Sequence, residues 1–145
     1  LRQRPIRELR QLRGEPVTNV HAFHGECYEL EAVITGEGRL WVRKHGEQQT
    51  AIGIRDGQIY IDRSRSGKTD FHSTFSGMQA APIDTKRPVR VQIFVDRSSV
   101  EVFANDGEVT LTDRIFPGPE STGVDVSSGV SQVRIWPLRS VWPQR

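Results

Sequence analysis

The residues best equipped for chemistry lie in "IFVDRSSVEVFANDGEVTLTDRIFP", residues 93–117, where Asp96 and Glu101 stand close together. Two carboxyl groups roughly 5 to 5.5 Å apart can hydrolyse a glycosidic bond, one as nucleophile and one as acid and base. If "VQIFVD" and "SVEVFA" are strands joined by a tight turn with an even number of loop residues, Phe94, Asp96, Glu101 and Phe103 share one face. Val91, Ile93, Val95, Val100, Val102 and Ala104 then share the other, the core side. Were Asp96 directly opposite Glu101, their Cβ atoms would lie roughly 5 Å apart. The setting argues against catalysis. An acid/base pair needs a concave site that excludes water and raises one pKa, whereas a hairpin of an open sheet is a ridge. Arg63, Arg97 and Arg114 are available to neutralise the acids. The expectation is structural carboxylates, and no catalytic residue in the chain.

Other constellations are weaker. His21, His24, His45 and His72 are scattered, and His21 and His24 lack a third ligand nearby, so no metal site is expected. Ser98 and Ser99 lack the strand-turn-helix setting of a nucleophile elbow. Gly36 and Gly38 punctuate a turn rather than cradle a phosphate, and no cofactor is expected. Trp41, Trp136 and Trp142 could stack on sugar rings, although tryptophan in β-sandwiches more often fills core or rim. Weak ligand candidates are Trp41 and the hairpin residues Asp96, Arg97 and Glu101.

The elements that must position these residues are short strands. In "CYELEAVI", Tyr28, Leu30, Ala32 and Ile34 alternate with Glu29, Glu31 and Val33. "RLWVRK" reads as a second strand, and "QTAIGIRDGQIYIDRS" as two strands about an Asp56-Gly57 turn. "RPVRVQIFVD" and "SVEVFA" form another hairpin, "NDG" turns into "EVTLTDRIF", and "GVDVSS" and "VSQVRIWPL" close the chain. Two stretches, "IYIDRSRSG" and "IFVDRSSVE", each end an apolar strand in Asp-Arg-Ser, a turn closed by the Asp side chain. The pattern predicts an all-β fold, a two-layer antiparallel β-sandwich. It is preceded by a short linker helix in "LRQRPIRELRQLR", where Ile6, Leu9 and Leu12 recur at intervals of three and Pro5 suits a first turn. Residues 1–20 read as linker and residues 21–145 as the sandwich.

At 145 residues the chain fits one domain and can bury a core without staples. Its single cysteine, Cys27, excludes an internal disulfide. No apolar run approaches the ~18 residues that cross a bilayer, so no membrane partner is expected. The net charge is only +2, with Arg2, Arg4, Arg7, Arg10 and Arg13 concentrated at the start and no aromatics among them, which argues against nucleic acid. The chain begins at Leu1 and its only methionine is Met78, so it reads as a processed product or a piece of something longer.

The run "VDRSSVEVFANDGEVTLTDRIFP" resembles the C-terminal sandwich module of glycoside hydrolase family 32, the invertases, levanases and exo-inulinases. "LRQRPIRELRQLR" is similar to the stretch that connects that family's catalytic propeller to its sandwich, "CYELEAVI" to the module's opening strand, and "IYIDRSRSG" to its mid-module hairpin. The resemblance implies a retaining β-fructosidase as parent, with its nucleophilic aspartate, its Arg-Asp-Pro aspartate and its Glu-Cys-Pro glutamate all in a preceding five-bladed propeller. None is carried here: Glu26-Cys27 is followed by Tyr28, and "TDRIFP" inverts the Arg-Asp order. By resemblance the module packs against that propeller and in some members forms dimer contacts or edges the substrate pocket. Ile6, Leu9, Leu12, Phe94 and Phe103 are then the expected interdomain contacts. Three readings compete: a non-catalytic support domain, a fructan-binding module, and an independent small hydrolase using Asp96 and Glu101. The parent's compartment is left open between secreted and cytoplasmic, leaning to secreted.

Overall fold

A computed structural model describes residues 2–68 and 77–139; Trp142 and His72 lie outside them. The described residues form ten strands in two antiparallel sheets packed face to face, the sandwich that the alternation predicts. In chain order the strands are β1 (Tyr28–Ile34), β2 (Arg39–His45), β3 (Gln48–Arg55), β4 (Gln58–Arg65), β5 (Met78–Pro82), β6 (Val89–Val95), β7 (Ser99–Ala104), β8 (Val109–Arg114), β9 (Gly123–Val126) and β10 (Val130–Pro137). The first sheet has the order β10-β1-β6-β7-β8 and the second β5-β4-β3-β2-β9.

The inner faces are set by side-chain period. Tyr28, Leu30 and Ile34 of β1, Ile52 of β3, Ile59 and Ile61 of β4, and Ile93 of β6 are withdrawn from water. Each such aliphatic side chain contributes roughly 1.5 to 3 kcal/mol over leaving it exposed. The β3–β4 hairpin turns at Asp56 and Gly57, φ 52° and 72°, the paired positive values of a type I′ turn whose twist matches the strands.

The short helix expected in the leading segment is a 3-10 helix over Arg7–Leu12. A spacing of three is the period of a 3-10 helix, so one stripe of Ile6, Leu9 and Leu12 satisfies it. β5, "MQAAP", has no apolar period because it is an edge strand that buries little. The two Asp-Arg-Ser stretches also part company. At Asp96 the strand ends and the chain turns, whereas β4 runs on through Asp62 to Arg65 across a register shift against β3. Asp62 Oδ1 there accepts from Ser64 N (3.0 Å).

Candidate functional site

The β6–β7 hairpin places its faces as the parity argument requires. Val91, Ile93, Val95, Val100, Val102 and Ala104 are buried, and Phe94, Glu101 and Phe103 lie on the outer face. The register does not oppose the two acids. Glu101 faces Phe94, while Asp96 sits beyond the strand, its backbone N–H donating to Ser99 O (2.9 Å). They are diagonal neighbours, a relation that places Cβ atoms nearer 7 Å than 5 Å apart. Asp96 Oδ1 accepts from Arg97 N (2.6 Å) and from the Cys27 thiol (3.2 Å). The arginines are committed elsewhere: Arg97 Nε lies 3.1 Å from Glu26, and Arg63 Nε lies 3.9 Å from Asp113. Burial, then the Asp96 hydrogen bond and charge, push the Cys27 thiol up, which makes it a poor nucleophile at neutral pH.

Arg43 fixes this end of the sandwich, and periodicity gave no sign of it. A register shift in β2 puts Arg43 at φ 48° and turns its side chain inward, where it is 2% exposed. Its guanidinium donates to four backbone carbonyls: Ser121 (2.6 Å), Arg97 (2.9 Å), Asp96 (3.3 Å) and Gly118 (3.3 Å). One side chain thus ties the second sheet to the β6–β7 turn of the first. The fixed five-donor fork of arginine suits this task as lysine would not. The Arg43 N–H also reaches the Tyr28 hydroxyl (3.4 Å), whose ionisation burial pushes far up.

The outer face of the first sheet is covered by the chain's own leading segment. Arg13 grips Glu29 of β1 with two hydrogen bonds, Nε to Oε1 at 2.8 Å and Nη2 to Oε2, and its guanidinium stacks 3.9 Å over Trp136. Gln92 donates to the same carboxylate (2.9 Å), and Glu29 is 0% exposed. These hydrogen bonds, with the charges of Glu29 and Glu31, outweigh the desolvation of Arg13, whose pKa is raised. At its front, Gln3 N donates to Gly107 O (3.1 Å) and Arg4 pairs with Asp106 (2.6 Å). Between these anchors the segment arches over a groove of about 1140 Å³ lined by Ile6, Leu9, Val33, Phe94 and Phe103. Phe94 and Phe103 meet edge to face at 6.1 Å. Phe103, expected to be exposed, is 6% exposed; it packs on Phe94 and lines the groove together with the leading segment. The structure thus gathers four of the five expected contact residues in one groove and leaves Leu12, half-buried, outside its lining.

Trp41 stands on the opposite surface, the outer face of the second sheet, half-buried and with the Arg39 guanidinium 5.0 Å from its ring. On the seam between the sheets, Asp113 of β8 points inward. Oriented to satisfy both acceptors, the Gln79 amide donates to Asp113 Oδ1 (2.7 Å) and to the Thr112 carbonyl (3.1 Å). Burial raises the Asp113 pKa, and the charge of Arg63 partly offsets this. Among the described residues no three His, Cys, Asp or Glu side chains gather as a metal site.

Fold and surface together define an all-β sandwich domain whose first sheet is crossed on its outer face by the chain's leading segment. Residues 1–140 match the family "Glycosyl hydrolases family 32 C terminal", and the chain belongs to that family. It is 36% identical to a levanase of Bacillus sp. (strain L7) over 96% of its length and 34% identical to the levanase of Bacillus subtilis (strain 168) over 97%. It spans only 18% and 25% of those two proteins. Among solved structures, sucrose-6-phosphate hydrolase from Lactobacillus gasseri shares the fold at TM-score 0.84 and 21% identity, over 97% of this chain and 31% of that one. Exo-inulinase from Aspergillus awamori matches at TM-score 0.74 and 30% identity, over 89% and 27%.

Proposed function

We propose that this chain is the non-catalytic C-terminal sandwich of a β-fructosidase that cleaves sucrose-, levan- or inulin-type fructosides, and that it supports a preceding catalytic propeller. One observation carries the reading: a segment similar to the family's interdomain connection is bound along the first sheet through the buried Arg13–Glu29 pair. Its front end is held at the Asp106–Gly107 turn. A domain preceding residue 2 would emerge there, beside the groove lined by Ile6, Leu9, Phe94 and Phe103. Residues 1–20 then act as the linker and residues 21–145 as the module, and a homodimer contact is a further use of the same surface.

The offset of Asp96 from Glu101 and the commitment of Asp96 to Cys27 and its own turn speak against an independent hydrolase. Incubating the purified chain with sucrose, levan and inulin should release no reducing sugar. Turnover that disappears in Glu101→Gln would overturn the reading.

A further inference from the structure

The leading segment is tied at both ends and unpacked between them. Gln3 and Arg4 are held at the Asp106–Gly107 turn and Arg13 at Glu29, yet the 3-10 helix between these ties buries none of its residues, and Ile6 is 65% exposed. Ile6 and Leu9 line the groove from the segment, and Val33, Phe94 and Phe103 line it from the sheet. At about 1140 Å³ the groove exceeds the roughly 300 to 1,000 Å³ of small-molecule sites, a size that suits a stretch of polypeptide.

The charges around the groove do not balance. Of the acids that line it, Glu29 and Glu31 are taken by Arg13, and Asp106 is taken by Arg4. Arg7 and Arg10 on the segment, Arg90 on β6 and Arg134 on β10 line it as well, and all four are exposed. None of these four forms an ion pair among the described residues. Arg134 stands opposite Glu31 in the β1–β10 register, but that carboxylate is turned to Arg13, 3.3 Å away. An arginine fork takes a carboxylate through two parallel hydrogen bonds. Four free forks beside an apolar floor therefore favour an occupant that carries acidic side chains next to apolar ones, and they repel a basic one.

The front tie shows where such an occupant would come from. The chain matches the C-terminal part of its family and spans only 18% and 25% of the two levanases, so in proteins of that plan most of the polypeptide precedes this domain. Arg2 is held by Asp106 (3.6 Å) and Glu108 (3.3 Å), and Asp106 and Gly107 themselves line the groove. Polypeptide preceding residue 2 thus starts at the lip of the groove, and a tether of that kind makes its docking intramolecular, so that modest ion pairs suffice.

We propose that the groove seats an acidic segment of the domain that precedes residue 2, its carboxylates paired with Arg7, Arg10, Arg90 and Arg134 and its apolar side chains set against Ile6, Leu9 and Phe94. The proposal rests on the reading of this chain as a support domain and gives that support a surface and a chemistry. The test compares the full parent polypeptide with the isolated chain. Hydrogen exchange over residues 5–12 should be about tenfold slower or more in the parent, because the occupant fills the space beneath them. The double charge reversal Arg90→Glu, Arg134→Glu should abolish that protection and about 0.5 M salt should weaken it, whereas Arg65→Glu on the second sheet should leave it intact. Arg90 and Arg134 are exposed, so the isolated double variant should melt as the parent sequence does. In Arg90→Lys, Arg134→Lys, a carbodiimide should join position 90 or 134 to an Asp or Glu preceding residue 2, read by mass spectrometry. Protection of residues 5–12 that ignores both charge reversal and salt overturns the acidic occupant while the support reading stands. Protection confined to other surfaces overturns the groove as the docking face. Cross-links that join only two copies give the groove to a second copy and overturn the proposal. Equal exchange throughout the parent and the isolated chain overturns the groove and the support reading together.

Discussion

The two outer faces of this sandwich are built from strands of the same alternating type, yet the chain's leading segment crosses one of them and, among the described residues, no segment crosses the other. On the first sheet the leading segment lies over β1 and its neighbours, so Glu29, outward by period, is 0% exposed and needs Arg13, Gln92 and the Trp136 ring around it. On the second sheet no described segment lies across Trp41 and Tyr60, and long arginines lean over the rings instead. The difference teaches that side-chain period assigns a residue to a face but not that face to water. Coverage depends on where a segment distant in sequence comes to rest.

The largest effect should come from breaking the roof. Arg13→Leu leaves the Glu29 carboxylate buried beside Gln92 alone, and an uncompensated buried charge costs about 3 to 5 kcal/mol. Urea unfolding of the variant should show a loss of that order. The double variant Arg13→Leu, Glu29→Leu should recover much of it, since a buried ion pair is often replaceable by packed apolar groups. A loss below about 1 kcal/mol in the single variant, the scale of an exposed pair, would mean that the two faces do not differ as described.

On the second sheet the corresponding change is Gly53→Val. The added side chain meets Arg39 Cβ at 2.7 Å, the Tyr60 hydroxyl at 2.8 Å and the Gly38 carbonyl at 3.0 Å, so overpacking should cost about 1 to 3 kcal/mol. Thermal unfolding checks it; an unchanged melting temperature would show that Arg39 and Tyr60 give way without cost.

Asp113, on the seam, gives a pH signature of about 1 kcal/mol, the scale of a buried group left short of hydrogen bonds. Its folded carboxyl is raised by burial, so the native state holds the proton to higher pH than the unfolded chain does. Its contribution to stability is therefore full below the unfolded value and declines as pH rises through the raised folded value. Asp113→Asn should melt above the parent sequence at pH 7, with the advantage shrinking toward pH 3. An advantage independent of pH would show that ionisation at this seam is not the cause.

Much of the architecture was legible. The alternation in "CYELEAVI", the Asp56-Gly57 turn and the two-faced β6–β7 hairpin are local signals that the packed sheets reproduce. What escaped depends on distant partners. β5 is held as a strand by β4 and carries no period of its own. Arg43 turns inward because of a bulge that no local rule announces in "RLWVRK". Arg13 and Glu29 look like an exposed arginine and a solvent-facing acid until the leading segment lies down. Phe103, outward by parity, lines a groove that it shares with a segment written nearly a hundred residues earlier. Trp41 could be singled out from its type alone, but its row with Ala51 and Asp62 needed the register of three strands.

The smallest effect belongs to the front of the roof and separates its two anchors. Arg4 lies 2.6 Å from Asp106, much as Arg13 lies from Glu29, yet the two side chains are 59% and 64% exposed, against 19% and 0% for Arg13 and Glu29. Water already solvates both charges, so Arg4→Ala should cost under about 0.5 kcal/mol and that little should fade with salt. The backbone bond from Gln3 N to Gly107 O would remain, so local opening rather than global stability is the sensitive readout. Hydrogen exchange at Gln3 should quicken in Arg4→Ala while amides of β1 keep their protection. If β1 loosened as well, the roof would act as one unit gripped at both ends, and burial at Arg13 alone could not explain why this face is closed.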